Sequence, residues 1–244
     1  MAPFPPSRPS HDRCPEPARR APSPPHPREP GVLSAPDARA RLLQGNAAFA
    51  ERVDAGRALG RPTAELVLDG PQRPFALVLG CADARVPVEL VFNQNLGDLF
   101  VVRVAGHAVG PAVLASVEYA VAALQVPLIV VLGHSGCGAV QATLDAISGA
   151  ATPATPALAG LVAQLRPGLE PLTQHCAAAE LGAAAVRANV AAAVASLRAE
   201  SALLLAEEQA GHLQIVGAVY DMASGRVRFG DEAVTTPAPL AGRD

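Results

Sequence analysis

The sequence predicts an α/β fold, a mostly parallel β-sheet flanked by helices and preceded by an N-terminal helical arm. Three observations predict it. Two short apolar runs, 75–80 and 128–133, are rich in branched residues and close on glycine, the pattern of strands buried on both faces. Helical periodicity lies between them, so the strands are joined by crossovers and run parallel. Half of the 244 residues are apolar, enough for the core of one domain without disulfides.

The elements follow in order. Residues 1–30 hold eleven of the 24 prolines and few aliphatic side chains. Such a stretch cannot offset its ordering entropy by burial, so residues 1–33 are expected to be a disordered, partly polyproline-II tail. Ser34-Ala35-Pro36-Asp37 is a helix start, with a hydroxyl cap followed by Pro and an acid in the first turn. Leu42, Leu43, Ala47, Phe49 and Val53 give that arm an apolar stripe, and Gly56 ends it. Residues 57–74 read as loop with a short helical turn. After the first strand come a short helix over 87–95 and a strand over 99–104. A helix follows over 111–126, with Val113, Val117, Ala120, Val121 and Leu124 inward, and then the strand at 128–132. A helix runs from Cys137 to Ile147. Residues 150–175 read as loop with a short helix, and the Ala-rich 177–209 as helix. A strand over 213–220 and a hairpin near Gly225 end the domain, which is placed at 34–232; residues 233–244 are expected to be a flexible C-terminus.

Charge and composition exclude several classes of function. The formal net charge is -3, which offers no field for nucleic acid or an anionic membrane. All 19 basic residues are arginine, so neither a Schiff-base lysine nor a GxxxxGK[ST] phosphate loop is present. No stretch of 18 uncharged apolar residues occurs, and the N-terminus lacks a secretory apolar region, so cytoplasm is the expected compartment. A chain of this size has no need of disulfides, so its cysteines, Cys14, Cys81, Cys137 and Cys176, read as reduced.

The chemistry is concentrated between Cys81 and Cys137. Cys81-Ala82-Asp83-Ala84-Arg85 follows the first apolar run, and His134-Ser135-Gly136-Cys137 follows the second. Both segments therefore sit at carboxyl ends of strands, where open α/β sheets bind ligands. Two thiols and an imidazole suit zinc. Structural zinc sites are closed by four protein ligands, while catalytic sites keep three and an open position. Cys81, His134 and Cys137 are three good candidates, and His107 is the only other residue near in sequence that could serve. The fourth position is left for water, hydroxide or a displaceable carboxylate. Asp83 could ligate the metal or accept a hydrogen bond from its water; Arg85, two residues on, would lower the carboxylate's pKa and hold it off the cation.

These residues resemble the β-class carbonic anhydrases. Cys81-Ala82-Asp83-Ala84-Arg85-Val86-Pro87 is similar to that family's CxDxRVP motif, and His134-Ser135-Gly136-Cys137-Gly138 to its HxxCG motif. Leu43-Gln44-Gly45-Asn46, Gly97-Asp98-Leu99-Phe100-Val101-Val102-Arg103 and Val117-Glu118-Tyr119-Ala120-Val121 match further family segments. The resemblance covers roughly residues 34 to 230. It implies that Cys81, His134 and Cys137 bind one Zn2+ per subunit and that Asp83 and Arg85 form a dyad orienting a zinc-bound hydroxide. The hydroxide attacks carbon dioxide and bicarbonate leaves. Gln72, Phe100 and Tyr119 match residues of the substrate pocket, some contributed by the partner subunit. The expected assembly is a homodimer or homotetramer. Ala82 and Ala84 stand where the family often has serine, and His107 where asparagine is commoner. Arg103 matches the arginine of a regulatory bicarbonate pocket, but Val78 replaces the tryptophan that pocket uses. A carbonyl sulfide or carbon disulfide hydrolase on the same scaffold, and a non-catalytic zinc or bicarbonate-binding protein, are the alternative readings. His107 is read as a surface residue, with a proton shuttle as the other possibility.

Overall fold

The computed structural model describes residues 31–56 and 71–230. The expected tail at 1–30, most of the loop from 57 and the C-terminus at 233–244 lie outside the described residues. Five strands form one sheet in the order β2-β1-β3-β4-β5. They are β1 (Ala76–Cys81), β2 (Leu99–Val104), β3 (Leu128–His134), β4 (Gln214–Asp221) and β5 (Arg226–Phe229). The first four are parallel and β5 returns antiparallel beside β4.

β1 and β3 are buried along their whole length, which is why their sequences are apolar without alternation. Successive side chains still serve opposite faces. Ala76, Val78, Leu128, Val130 and Leu132 pack with Leu42 and Phe49 of α1 (Ala35–Asp54) and with α2 (Val88–Val91). Leu77, Leu79, Ile129 and Val131 pack on the other face with α3 (Pro111–Ala122), α6 (Ala178–Glu200) and α7 (Ala202–Gln209). Ser34 caps α1 by accepting from Asp37 N, and Pro36 lies in its first turn. Asn46 ties the arm to the sheet: its amide donates to the Val91 and Gly225 carbonyls, and its oxygen accepts from Val227 N.

Two regions differ from the sequence expectation. The segment over 150–175 contains a full helix, α5 (Pro156–Leu169), after α4 (Gly138–Ser148). Its prolines mislead: Thr155 accepts from Leu158 N as the cap, Pro156 takes the first turn where no amide is needed, and Pro167 falls near the end. The expected single helix over 177–209 breaks at Ser201, which ends α6 and caps α7 by accepting from Leu204 N. α6 is long and apolar enough to cross a membrane by length and composition alone. Its Val186, Val190, Val194 and Leu197 are instead buried in the core of this domain.

Gly133 and Gly217 let α6 lie close on the sheet. A Cβ at Gly133 would stand 2.5 Å from Val190 Cγ2, and one at Gly217 2.6 Å from Val190 Cγ1. The chain leaves β1 towards α2 on one face and β3 towards α4 on the other side of the sheet. The ends of β1 and β3 therefore flank the point where the connections diverge, the place at which such sheets bind ligands.

Candidate metal centre

Cys81 is the last residue of β1 and His134 the last of β3, and the parallel register Gly80↔Leu132 sets them nearly level. Cys137 follows directly on Gly136, which turns the chain with a φ of 65°, and becomes the N-cap of α4. The Cys81 and Cys137 sulfurs are 4.0 Å apart, far beyond a disulfide's ~2.05 Å. Two thiolates bound tetrahedrally at about 2.3 Å from one zinc would be separated by about 3.8 Å. The ligand atoms of Cys81, His134 and Cys137 all lie within 4.8 Å of one another, and all three residues are buried.

The imidazole is prepared in the same sense. His134 Nδ1 lies 3.0 Å from the Ser135 carbonyl, to which it donates as N–H. The lone pair is thereby placed on Nε2, which is buried and has no hydrogen-bond partner among the described residues. An orphaned buried nitrogen beside two sulfurs is costly unless a cation fills the gap, so the residues present fit zinc.

The charges agree with this fit. A hydrogen bond from Cys137 pulls the Cys81 thiol strongly down against its burial, helped by His134 and by the backbone N–H groups of Asp83 and Gly106. Cys137 is pushed up, first by its bond to Cys81 and then by burial, although the Val140 and Ala139 N–H groups at the start of α4 oppose this. Burial resists charging His134, but the Cys81 sulfur beside it outweighs burial and raises its pKa. A cation bound among them would displace the proton that Cys137 gives to its bond with Cys81, leaving two thiolates and a neutral imidazole as its ligands.

Asp83 stands at the rim. Its Oδ1 accepts from Arg85 N at 2.9 Å and Arg85 Nε at 2.9 Å, and its Oδ2 from Arg85 Nη2 at 2.7 Å. This fork holds the carboxyl well below the usual carboxylate range. Oδ2 lies 3.9 Å from His134 Nε2. Each carboxylate oxygen takes about two donors. Oδ1 is filled, so the acceptor site still open belongs to Oδ2, the oxygen facing the cluster.

The pocket candidates do not join this group within one chain. Phe100 pairs with Leu77 on β1, four residues before Cys81, so it sits about 13 Å back along the strand. Tyr119 is 52% exposed, and its ring lies tilted against that of Phe100, with centroids 6.2 Å apart. Gln72 is exposed ahead of β1. His107, read from the sequence as a surface residue or proton shuttle, is only 1% exposed, so neither reading stands. Burial lowers its pKa to about 4, which leaves it neutral.

Sequence reasoning missed two groups behind the metal centre. Arg103 of β2, read from the sequence only as the arginine of a regulatory pocket whose tryptophan Val78 replaces, donates to the Cys81 and Asp83 carbonyls at 2.9 and 2.6 Å and so braces the strand end. The turn Ala105–His107 places Gly106 N 3.4 Å from Cys81 Sγ, and Asn189 of α6 holds that turn. Asn189 carried a signal: it is a polar residue on the buried stripe of an Ala/Val helix.

Comparison with known proteins points the same way. A family model described as carbonic anhydrase matches residues 76–227. A carbonic anhydrase of Mycolicibacterium smegmatis is 44% identical over 158 residues, 65% of this chain and 75% of that one. One from Pseudomonas aeruginosa is 43% identical over 164 residues, 64% and 73% of the two chains. Among solved structures, a β-carbonic anhydrase of Sordaria macrospora, described as tetrameric, superposes with a TM-score of 0.61 at 25% identity, covering 80% of this chain and 97% of that one. The Coccomyxa β-carbonic anhydrase in complex with acetazolamide gives 0.60 at 27% identity, covering 80% and 83%.

Proposed function

The chain belongs to the β-class carbonic anhydrases, zinc enzymes that hydrate carbon dioxide reversibly, and on that premise we propose how its own residues serve the reaction. Cys81, His134 and Cys137 hold one zinc ion per subunit, and Asp83 with Arg85 directs the nucleophile. Zinc, when bound, supplies hydroxide at neutral pH by lowering the pKa of a water from 15.7 to about 7.

Asp83, kept ionised by the fork of Arg85, can only accept a hydrogen bond. Its open acceptor site on Oδ2 takes the hydrogen of the nucleophile and turns the lone pair towards the carbon of carbon dioxide. Arg85 also keeps both carboxylate oxygens engaged, so that Asp83 stays off the fourth position on the cation. Arg103 holds the Cys81 and Asp83 carbonyls and so keeps thiolate and carboxylate in register. The observation that carries this reading is the buried, unpartnered Nε2 of His134 beside two sulfurs, with Asp83 Oδ2 locked 3.9 Å away.

Phe100, Tyr119 and Gln72 line the substrate pocket of a neighbouring subunit. β2 is an edge strand whose Leu99, Phe100, Val101, Val102 and Val104 are only half-buried, an apolar edge suited to a second copy. The working form is a homodimer or homotetramer, the catalytic unit is 34–232, and the compartment is the cytoplasm.

The test is stopped-flow carbon dioxide hydration across pH on protein whose zinc content is measured in the same sample. Asp83→Ala is expected to keep zinc and lose about 10²–10³ in rate, the loss typical of one positioned polar group. Zinc lost with the carboxylate, or a rate unchanged without it, would overturn the assignment.

A further inference from the structure

The turn behind Cys81 is held by a residue that touches neither substrate nor metal. Gly106 has a φ of 59° and His107 a φ of 43°, two successive left-handed residues, the second of them not glycine. That conformation is strained for histidine and persists only where its surroundings impose it. It aims the Gly106 N–H at the Cys81 sulfur, 3.4 Å away. Asn189 Nδ2 donates to the Gly106 carbonyl at 2.9 Å and meets His107 Nε2 at 2.9 Å. A donor facing Nε2 requires a lone pair there, so His107 is the neutral tautomer with its proton on Nδ1, an atom that is buried without a partner among the described residues. Asn189 is itself 2% exposed. It reaches the turn because α6 approaches the sheet over Gly133, and the ring of His107 lies against that glycine, 3.6 Å from where a Cβ would stand. The amide therefore ties α6 to the one turn, Ala105–His107, that lies beside the end of β1.

We propose that Asn189 is a positioning residue for the metal centre. By clamping Gly106 and His107 in the left-handed turn it fixes the N–H···S hydrogen bond on Cys81, which draws charge from that thiolate and sets its strength as a metal ligand. Groups that orient a ligand from behind typically change metal affinity or activity 10- to 100-fold when removed. The inference rests on the reading that Cys81 binds the metal.

Cobalt substitution tests it on the full chain, because thiolate-to-cobalt charge transfer reports the electron density on sulfur. Asn189→Asp keeps the shape of the side chain but offers no donor to the Gly106 carbonyl; Asn189→Leu removes both contacts. Both variants are expected to move the charge-transfer band to lower energy, as charge returns to the sulfur, and to weaken zinc 10- to 100-fold in chelator competition, as the turn no longer holds Cys81 in place for the metal. Ser201→Ala serves as the control, since it removes a partly buried side-chain hydrogen bond to Glu118 and the cap of α7, at the far end of α6. It is expected to lower the melting temperature and leave the band in place. If Asn189→Leu does not fold, Asn189→Asp alone decides. A band and zinc affinity equal to those of the native protein in a folded Asn189 variant would overturn the proposal and leave Asn189 a packing residue. No thiolate charge-transfer band in the native cobalt protein would instead refute the ligand reading beneath it.

Discussion

His107 gives the chain an acid-sensitive core, and the size of the effect follows from its setting. Burial lowers its pKa from 6.5 to about 4; His134 acts in the same direction, while Cys81 and the contact with Asn189 oppose it without prevailing. The unfolded chain takes up a proton at this residue below about pH 6.5, while the folded chain does not until about pH 4. Between those values the unfolded state binds more protons, so stability falls as pH falls through the window. At about 1.4 kcal/mol per pH unit, the contribution lost by pH 4 is about 3 kcal/mol. The assay is urea unfolding followed by circular dichroism, on zinc-loaded native protein and on His107→Asn, at steps from pH 7 to pH 4.5. Protonation of the metal ligands acts on both proteins and cancels in the difference. The native protein is expected to lose stability more steeply than the variant below pH 6.5. Parallel curves would show that His107 titrates normally, and the account of its burial would fail.

Other perturbations act on the same site and on the packing around it. Arg85→Ala frees the Asp83 carboxylate, so hydration is expected to fall with zinc retained and the pH–rate profile to shift; an unchanged profile in stopped-flow measurements contradicts the role given to the fork. Gly133→Ala drives a Cβ to 2.5 Å from Val190 Cγ2, and overpacking of this kind costs about 1–3 kcal/mol, readable as a lower melting temperature. Asn46→Ala removes three buried hydrogen bonds between the α1 arm and the sheet, a loss of about 3 kcal/mol in denaturant unfolding.

The strands were legible because the runs 75–80 and 128–133 are apolar without alternation, the pattern of strands covered on both faces. The meeting of Cys81, His134 and Cys137 was legible from their common place after those runs. α5 was not, since Pro156 at a helix start resembles loop composition until Thr155 is seen to cap it. The burial of His107 was hidden for another reason: it depends on Asn189, 82 residues away, and on a glycine that lets α6 approach. No local pattern encodes that meeting. The separation of Phe100 and Tyr119 from the cluster likewise follows from strand register, which the sequence of one strand does not carry.

The central claim is that two sulfurs and one imidazole from this chain surround a single cation with one position left for water. X-ray absorption at the zinc edge of the loaded protein tests it most directly. The account predicts two sulfur neighbours at about 2.3 Å and two nitrogen or oxygen neighbours at about 2.0–2.2 Å. A shell with fewer than two sulfurs, or one made of sulfur alone, would contradict it.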